Sequence, residues 1–230
     1  MSLTIWKTRD ITFLEVLIKI SIFFIPILMI FLYLSRHNVR FKLFFTTFII
    51  FVILERIYET FYTKKIKTRT KSKDKILELV TLAYIVLITI IITDFYFLNR
   101  NMFAFTSYIG LFIFFIAFWI RWWGMRTLSD QWNIFINNDY IKDSKYMLVK
   151  RGPYRFIRHP IYLGFILEVL SLPLIFNSTF GLFFSLLIFT PLIIFRTFKE
   201  EKKLMYLFGD EYRSYKETTA AFLPFKSLRL

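Results

Sequence analysis

The chain has no cysteine among its 230 residues. That excludes a disulfide-stapled secreted scaffold, thiolate catalysis and zinc sites with sulfur ligands. Histidine is nearly as scarce: the two present, His37 and His159, sit too far apart to read as a metal site. The six glycines, at positions 110, 124, 152, 164, 181 and 209, never fall in a G-x-G spacing, so the phosphate-cradling loop of soluble dinucleotide-binding domains is missing. There is no internal repeat and no Gly/Ser linker. Acidic side chains are few, 16 against 31 Lys and Arg, leaving a net charge of +15.

What is abundant is apolar surface. Hydrophobic residues make up 57% of the chain and aromatics 21%, with 31 Phe. A soluble globule holds about 45–50% apolar residues, so this excess cannot be hidden in a water-facing fold. Apolar runs lie near 12–34, 41–63, 76–98 and 102–120, then 161–176 and 179–195. At about 1.5 Å per residue the first four can each cross a core of about 30 Å. The last two are shorter and, joined at Asn177-Ser178, read as a tight helical hairpin. The first run carries Glu15 and Lys19 and lacks a small-residue cleavage site, so it reads as a span rather than a cleavable leader.

The basic residues sit between these runs, which points to membrane topology and anionic headgroups rather than nucleic acid. Flanks on one face hold 25 Lys and Arg: Lys7 and Arg9, seven in 64–75, eight in 121–160 and eight in 196–230. The opposite face holds 4. The expectation is an all-α polytopic membrane bundle of about six segments, with both termini cytoplasmic. Residues 1–120 form a four-span region; 121–230 carry a cytoplasmic loop, the hairpin and a tail helix. The host membrane is the cell membrane in a bacterium or the endoplasmic reticulum in a eukaryote. The basic loop 64–75 reads as a topology anchor.

Charges inside spans are costly and face the bundle interior or snorkel to its edge. Glu15, Lys19, Glu55, Arg56, Glu59, Glu78 and Asp94 lie near segment ends and read as snorkelling. Glu168 lies two turns into the segment that begins at Pro160, four residues after Gly164. Two readings are open for it: an acid facing an enclosed pocket, or a bundle-interior carboxylate bonded to a neighbouring helix.

Two windows concentrate the remaining polar chemistry. In 146–164, Gly152-Pro153 reads as a turn, Arg151, Arg155 and Arg158 surround Tyr154 and His159, and Pro160 opens a helix. A basic, aromatic loop entering a helix N-terminus suits a carboxylate or phosphate at the membrane surface. The second window follows the hairpin: Arg196, Glu200, Glu201, Leu204, Phe208, Gly209, Tyr212 and Tyr215. Arg196, Glu200, Leu204 and Phe208 share one helix face, Glu201 points about 100° away from Glu200, and Gly209 fits a helix stop.

Together the windows resemble the isoprenylcysteine carboxyl methyltransferase family and its relatives, the membrane phospholipid methyltransferases. The residues that carry the resemblance are Leu148-Val149, Gly152-Pro153-Tyr154, Arg158-His159-Pro160-Ile161-Tyr162-Leu163-Gly164, then Arg196, Glu200-Glu201, Phe208-Gly209, Tyr212 and Tyr215. They stand in the family's order and spacing across roughly 126–224. The resemblance implies S-adenosylmethionine (SAM) as methyl donor, a cytoplasm-facing cofactor pocket and a lipid-like acceptor entering from the bilayer. It implies backbone contacts to adenine from Leu148 and Val149, and cofactor binding by Tyr154, His159 and Tyr162. It sets Arg158 near the cofactor carboxylate, Glu201 with Glu200 on its ammonium, and Arg196 on the acceptor. Many relatives carry His two residues before the leucine-valine step; here that residue is Tyr146.

A carboxylate acceptor, already ionised at neutral pH, needs alignment rather than a base, and Arg196 can grip it in a bidentate fork. An amine acceptor such as phosphatidylethanolamine requires a proton acceptor, for which Glu168 or a C-terminal glutamate is the candidate. Neither route uses a metal. An NADPH-dependent membrane reductase of similar architecture is the rival enzyme class. A transporter or purely structural protein would line several spans with midplane polar residues, which are scarce here.

Overall fold

A computed structural model of the chain describes Phe48, Phe51 and residues 75–97, 104–128 and 147–223. The apolar runs 12–34 and 41–63, Phe48 and Phe51 apart, lie outside the described residues, as do nearly all of the basic loop 64–75 and Tyr146. Two compact units, Met1–Leu54 and Glu55–Leu230, divide the chain. In the first, Phe48 and Phe51 are helical.

The second unit is built from helices: α1 (Lys75–Phe97), α2 (Phe105–Leu128), a 3-10 turn (Gly152–Arg155), α3 (Pro160–Ile175), α4 (Thr179–Phe184), a π-helical turn (Ser185–Phe189) and α5 (Thr190–Thr218). Each of Lys75–Asp94, Phe105–Leu128 and the continuous stretch Thr179–Thr218 is long and apolar enough to cross a membrane. The chain is thus an all-α, multi-pass membrane protein in its described part. One face of α2, with Phe105, Tyr108, Phe112, Phe115 and Trp119, is exposed, at the three- and four-residue spacing of a helical stripe. Thr81, Thr89 and Thr93 of α1 turn their hydroxyls onto carbonyls four residues back, so these three donors are satisfied within the helix.

The hairpin forms where the sequence places it. Pro160 opens α3, and Asn177, at a left-handed φ of 53°, reverses the chain. Ser178 caps α4 by accepting the Gly181 N–H at 3.1 Å. Asp94 does not snorkel: it is buried and accepts from the Ser178 hydroxyl at 2.8 Å and the Phe180 N–H at 3.2 Å. This carboxylate sits at a helix N-terminus, where free N–H groups favour negative charge. The π-turn widens the second arm, and its Ser185 hydroxyl donates to the Val169 carbonyl across the hairpin at 2.7 Å.

Two boundaries differ from the expectation. The fourth run continues past residue 120 to Leu128, because Arg121 finds a buried partner and Arg126 stacks on Trp122, 4.2 Å from its ring centroid. The arm 179–195 does not end before the second window but carries it, as one 40-residue stretch whose portion before the break at Gly209 is about 45 Å long. Its charged second half, from Arg196 onward, therefore projects beyond a bilayer core of about 30 Å. Gly209 interrupts this helix at φ 50° and ψ −123°, a conformation only glycine adopts readily, and a short helical stretch resumes to Thr218.

Helices α2 and α3 pack closely. A Cβ on Gly164 would lie 2.8 Å from the Ala117 carbonyl and would strike the aliphatic stem of Arg121. Glycine at this position is what lets an arginine lie between the two helices.

Candidate active site

The loop between the 3-10 turn and α3 is fixed by the tail that follows α5. Ile157 pairs with Ala220 in a parallel bridge. The Arg158 N–H donates to the Ala220 carbonyl at 2.9 Å, and the His159 N–H to the Ala221 carbonyl at 3.1 Å. The Tyr215 hydroxyl donates to the Tyr154 carbonyl at 2.5 Å. Lys150 pairs with Glu211 at 2.8 Å and lies over the Tyr215 ring, which ties the half-buried Leu148-Val149 stretch to the same tail.

Glu201 is the hub. It is buried in the charged second half of the Thr179–Thr218 stretch and accepts from four donors on three side chains. Arg158 Nε and Nη2 donate to Oε1 at 3.0 and 2.5 Å, and His159 Nε2 lies 3.2 Å from the same oxygen. Lys216 Nζ lies 2.9 Å from Oε2. Arg158 Nη1 reaches on to the Lys216 carbonyl at 3.2 Å and to that of Thr219. Burial alone would raise the Glu201 carboxyl, but the hydrogen bonds from His159, Lys216 and Arg158 outweigh it and hold the group well below the usual carboxylate range.

A second strand of the cluster runs through Tyr162. Its ring lies 5.9 Å from the His159 ring, and its hydroxyl accepts from Arg196 Nε at 3.2 Å. Arg196 is buried, 3% exposed, at the point where the apolar half of the long helix gives way to the charged half. Glu200, half-buried, faces the Tyr154 and Tyr162 hydroxyls. Burial, reinforced by the Glu200 carboxylate, pushes the Tyr154 phenol well above its ordinary value. Arg158, His159, Tyr162, Arg196, Glu200 and Glu201, singled out in two windows some forty residues apart, are thus one constellation. It brings two guanidinium groups, two carboxyl groups, an imidazole and a phenol together.

Glu168 has a different place. It is 1% exposed, deeper along α3; its Oε2 forms an ion pair with Arg121 Nη1, and its Oε1 accepts from the Tyr84 hydroxyl at 3.2 Å. Arg121 also lies over the Phe165 ring, 5.4 Å from its centroid. Of the two readings open for Glu168, the neighbouring-helix bond is the one the structure displays. Sequence reasoning missed Arg121, taken as a flanking charge, and missed Lys216 and the 219–221 tail. The spacing of Glu201 and Lys216 crosses the Gly209 kink, so helical periodicity gives no sign of it.

Residues 108–206 match the pattern of the isoprenylcysteine carboxyl methyltransferase (ICMT) family. The chain is 40% identical over 73 residues to methanethiol S-methyltransferase 1 of Bradyrhizobium diazoefficiens, over 32% of this chain and 25% of that protein. It is 31% identical over 102 residues to protein-S-isoprenylcysteine O-methyltransferase of Homo sapiens, over 44% of this chain and 35% of that protein. The matched stretches thus span about a quarter to a third of these relatives. A solved structure of a eukaryotic intramembrane Ras methyltransferase, isoprenylcysteine carboxyl methyltransferase, is similar in fold, with TM-score 0.64 at 19% identity, over 93% of this chain and 74% of that one. Over residues 108–206 the chain thus matches the pattern of the ICMT family, and its fold is like that of a solved isoprenylcysteine carboxyl methyltransferase.

Proposed function

We propose that the chain transfers a methyl group from SAM to an anionic, lipophilic acceptor reached from the bilayer, most directly a carboxylate of the isoprenylcysteine type. The observation that carries this reading is the unbroken run of contacts Glu201–His159–Tyr162–Arg196, which joins an acid suited to a cofactor ammonium to a guanidinium suited to an acceptor. The residues present fit SAM. Glu201 already accepts a primary ammonium, that of Lys216.

Glu201 and Glu200 would hold the amino group of the cofactor, Arg158 its carboxylate, and His159, Tyr162, Tyr154 and the Leu148-Val149 backbone the remainder. SAM would supply an electrophilic methyl on a sulfonium, which an acceptor anion held by Arg196 could take. No proton moves. Arg196 aims the acceptor, and the enclosed site removes water from a reaction in which charge is neutralised. Glu168, paired with Arg121, acts as a positioning residue for α2 and α3 rather than as a base. The count of 25 basic flanking residues against 4 supports a cytoplasmic placement of the cluster and of both termini.

A second acceptor class has its own support. Methanethiol S-methyltransferases of Bradyrhizobium diazoefficiens and Pseudomonas deceptionensis are 40% and 35% identical over the matched stretch, and a thiolate is also an anion. The test offers labelled SAM and the full chain in detergent a farnesylcysteine derivative, methanethiol and phosphatidylethanolamine. A base-labile labelled ester is the expected product. A labelled volatile thioether would move the reading to sulfur, and label on phosphatidylethanolamine alone would overturn it. Arg196→Lys is expected to lower turnover about tenfold or more while leaving affinity for S-adenosylhomocysteine within about twofold, since one ammonium cannot replace a planar fork. Parallel loss of both would place Arg196 in the cofactor site.

A further inference from the structure

Glu201 divides its two oxygens unequally. Oε1 takes three donors, Arg158 Nε and Nη2 and His159 Nε2, which is more than its two lone pairs serve. Oε2 takes the ammonium of Lys216 at 2.9 Å. A further ammonium arriving at this carboxylate therefore has to address Oε2, the oxygen that Lys216 holds.

Exposure points the same way. The side chains of Arg158, His159 and Glu201 are 7%, 4% and 7% exposed, whereas that of Lys216 is 46% exposed. The buried carboxylate thus meets water on the Lys216 side, and the lysine stands across that approach. The backbone of Lys216 is held separately. Its carbonyl accepts from Arg158 Nη1 at 3.2 Å, and Ala220 and Ala221 pin the tail to residues 157–159. The ammonium can leave Glu201 for water while the tail stays in place.

We propose that Lys216 is a built-in competitor of the cofactor: its ammonium holds the place on Glu201 that the amino group of SAM takes, and gives it up when SAM binds. The inference rests on the SAM-dependent reading above and names the residue that sets the affinity of the site for the amino-acid end of the cofactor. Two ammonium groups on one carboxylate oxygen repel, so cofactor binding and the Lys216–Glu201 pair oppose each other. By returning as the product leaves, Lys216 keeps a buried carboxylate paired between turnovers.

The test is Lys216→Met in the full chain, purified in detergent, with calorimetric affinity for S-adenosylhomocysteine and for 5′-methylthioadenosine, which lacks the amino-acid portion. Methionine keeps most of the stem and removes the charge; Lys216→Gln is a second neutral variant expected to behave alike. Affinity for S-adenosylhomocysteine rises about fivefold, the factor a half-exposed ion pair commands, while affinity for 5′-methylthioadenosine holds. In a chain already carrying Glu201→Gln, Lys216→Met brings no such rise, because the contested charge is gone. Arg213→Met removes an exposed cation of the same helical stretch, paired with Asp210, and leaves both affinities unchanged. Unchanged or lower affinity for S-adenosylhomocysteine in Lys216→Met overturns the proposal. So does an equal rise in Arg213→Met, which would make the effect one of overall charge. If the unmodified chain binds neither nucleoside, the SAM-dependent reading itself fails, and the two failures are told apart.

Discussion

Glu201→Gln is expected to lower affinity for S-adenosylhomocysteine about ten- to a hundredfold while leaving the helices assembled. The substitution keeps the shape of the side chain and removes its charge. A hydrogen bond between charged partners contributes about 1.5–3 kcal/mol, against about 0.5–1.5 kcal/mol for a neutral one. Alanine is the poorer choice here. Glu201 neutralises the buried Arg158 and holds His159 and Lys216, so truncation would loosen the tail as well as the cofactor site. Calorimetric titration alongside unfolding separates the two effects, and unchanged affinity in Glu201→Gln would remove Glu201 from the cofactor site. Because the carboxyl is held below its ordinary value in the folded protein, its contribution to stability is complete above the ordinary carboxylate range. That contribution is lost as pH falls below this range, so ligand-free unfolding temperature should decline on acidification and much less so in the glutamine variant.

The second large effect belongs to the ion pair between α2 and α3. Glu168→Ala leaves the Arg121 guanidinium, 2% exposed, with its main counter-charge gone, and the Tyr84 hydroxyl loses its acceptor. Breaking a buried pair from one side costs about 3–5 kcal/mol. Replacing both partners by apolar groups is usually neutral or favourable, so Arg121→Met with Glu168→Leu should recover most of the unfolding temperature lost in the single variant. The same pair of variants settles the base reading for Glu168. If the double variant folds, binds S-adenosylhomocysteine and still transfers methyl groups, Glu168 positions helices; if it folds and binds but turns over no acceptor, Glu168 takes part in the chemistry.

The sequence made the local features legible because they depend on neighbours along the chain. Pro160 at a helix start, the Asn177-Ser178 reversal, the break at Gly209 and the shared face of Arg196 and Glu200 all follow from helix geometry and backbone allowance. The windows around Arg158 and Glu201 were also legible, though as separate candidates. What periodicity cannot supply is which helix meets which. Arg121 and Glu168 are 47 residues apart, and nothing in the basic pattern separates Arg121 from a charge at the membrane edge. The Gly164 position alone gives no sign of the arginine stem packed against it. Lys216 was hidden in the same way, since the Gly209 kink breaks the face that would otherwise have set it relative to Glu201.

The central claim is that the cluster around Glu201 is a SAM site. Calorimetric titration of the full chain in detergent with S-adenosylhomocysteine, with NADPH as the control, tests it most directly. Binding of S-adenosylhomocysteine alone, weakened by Glu201→Gln, is the predicted result. Binding of NADPH alone would contradict it and make the reductase the better reading.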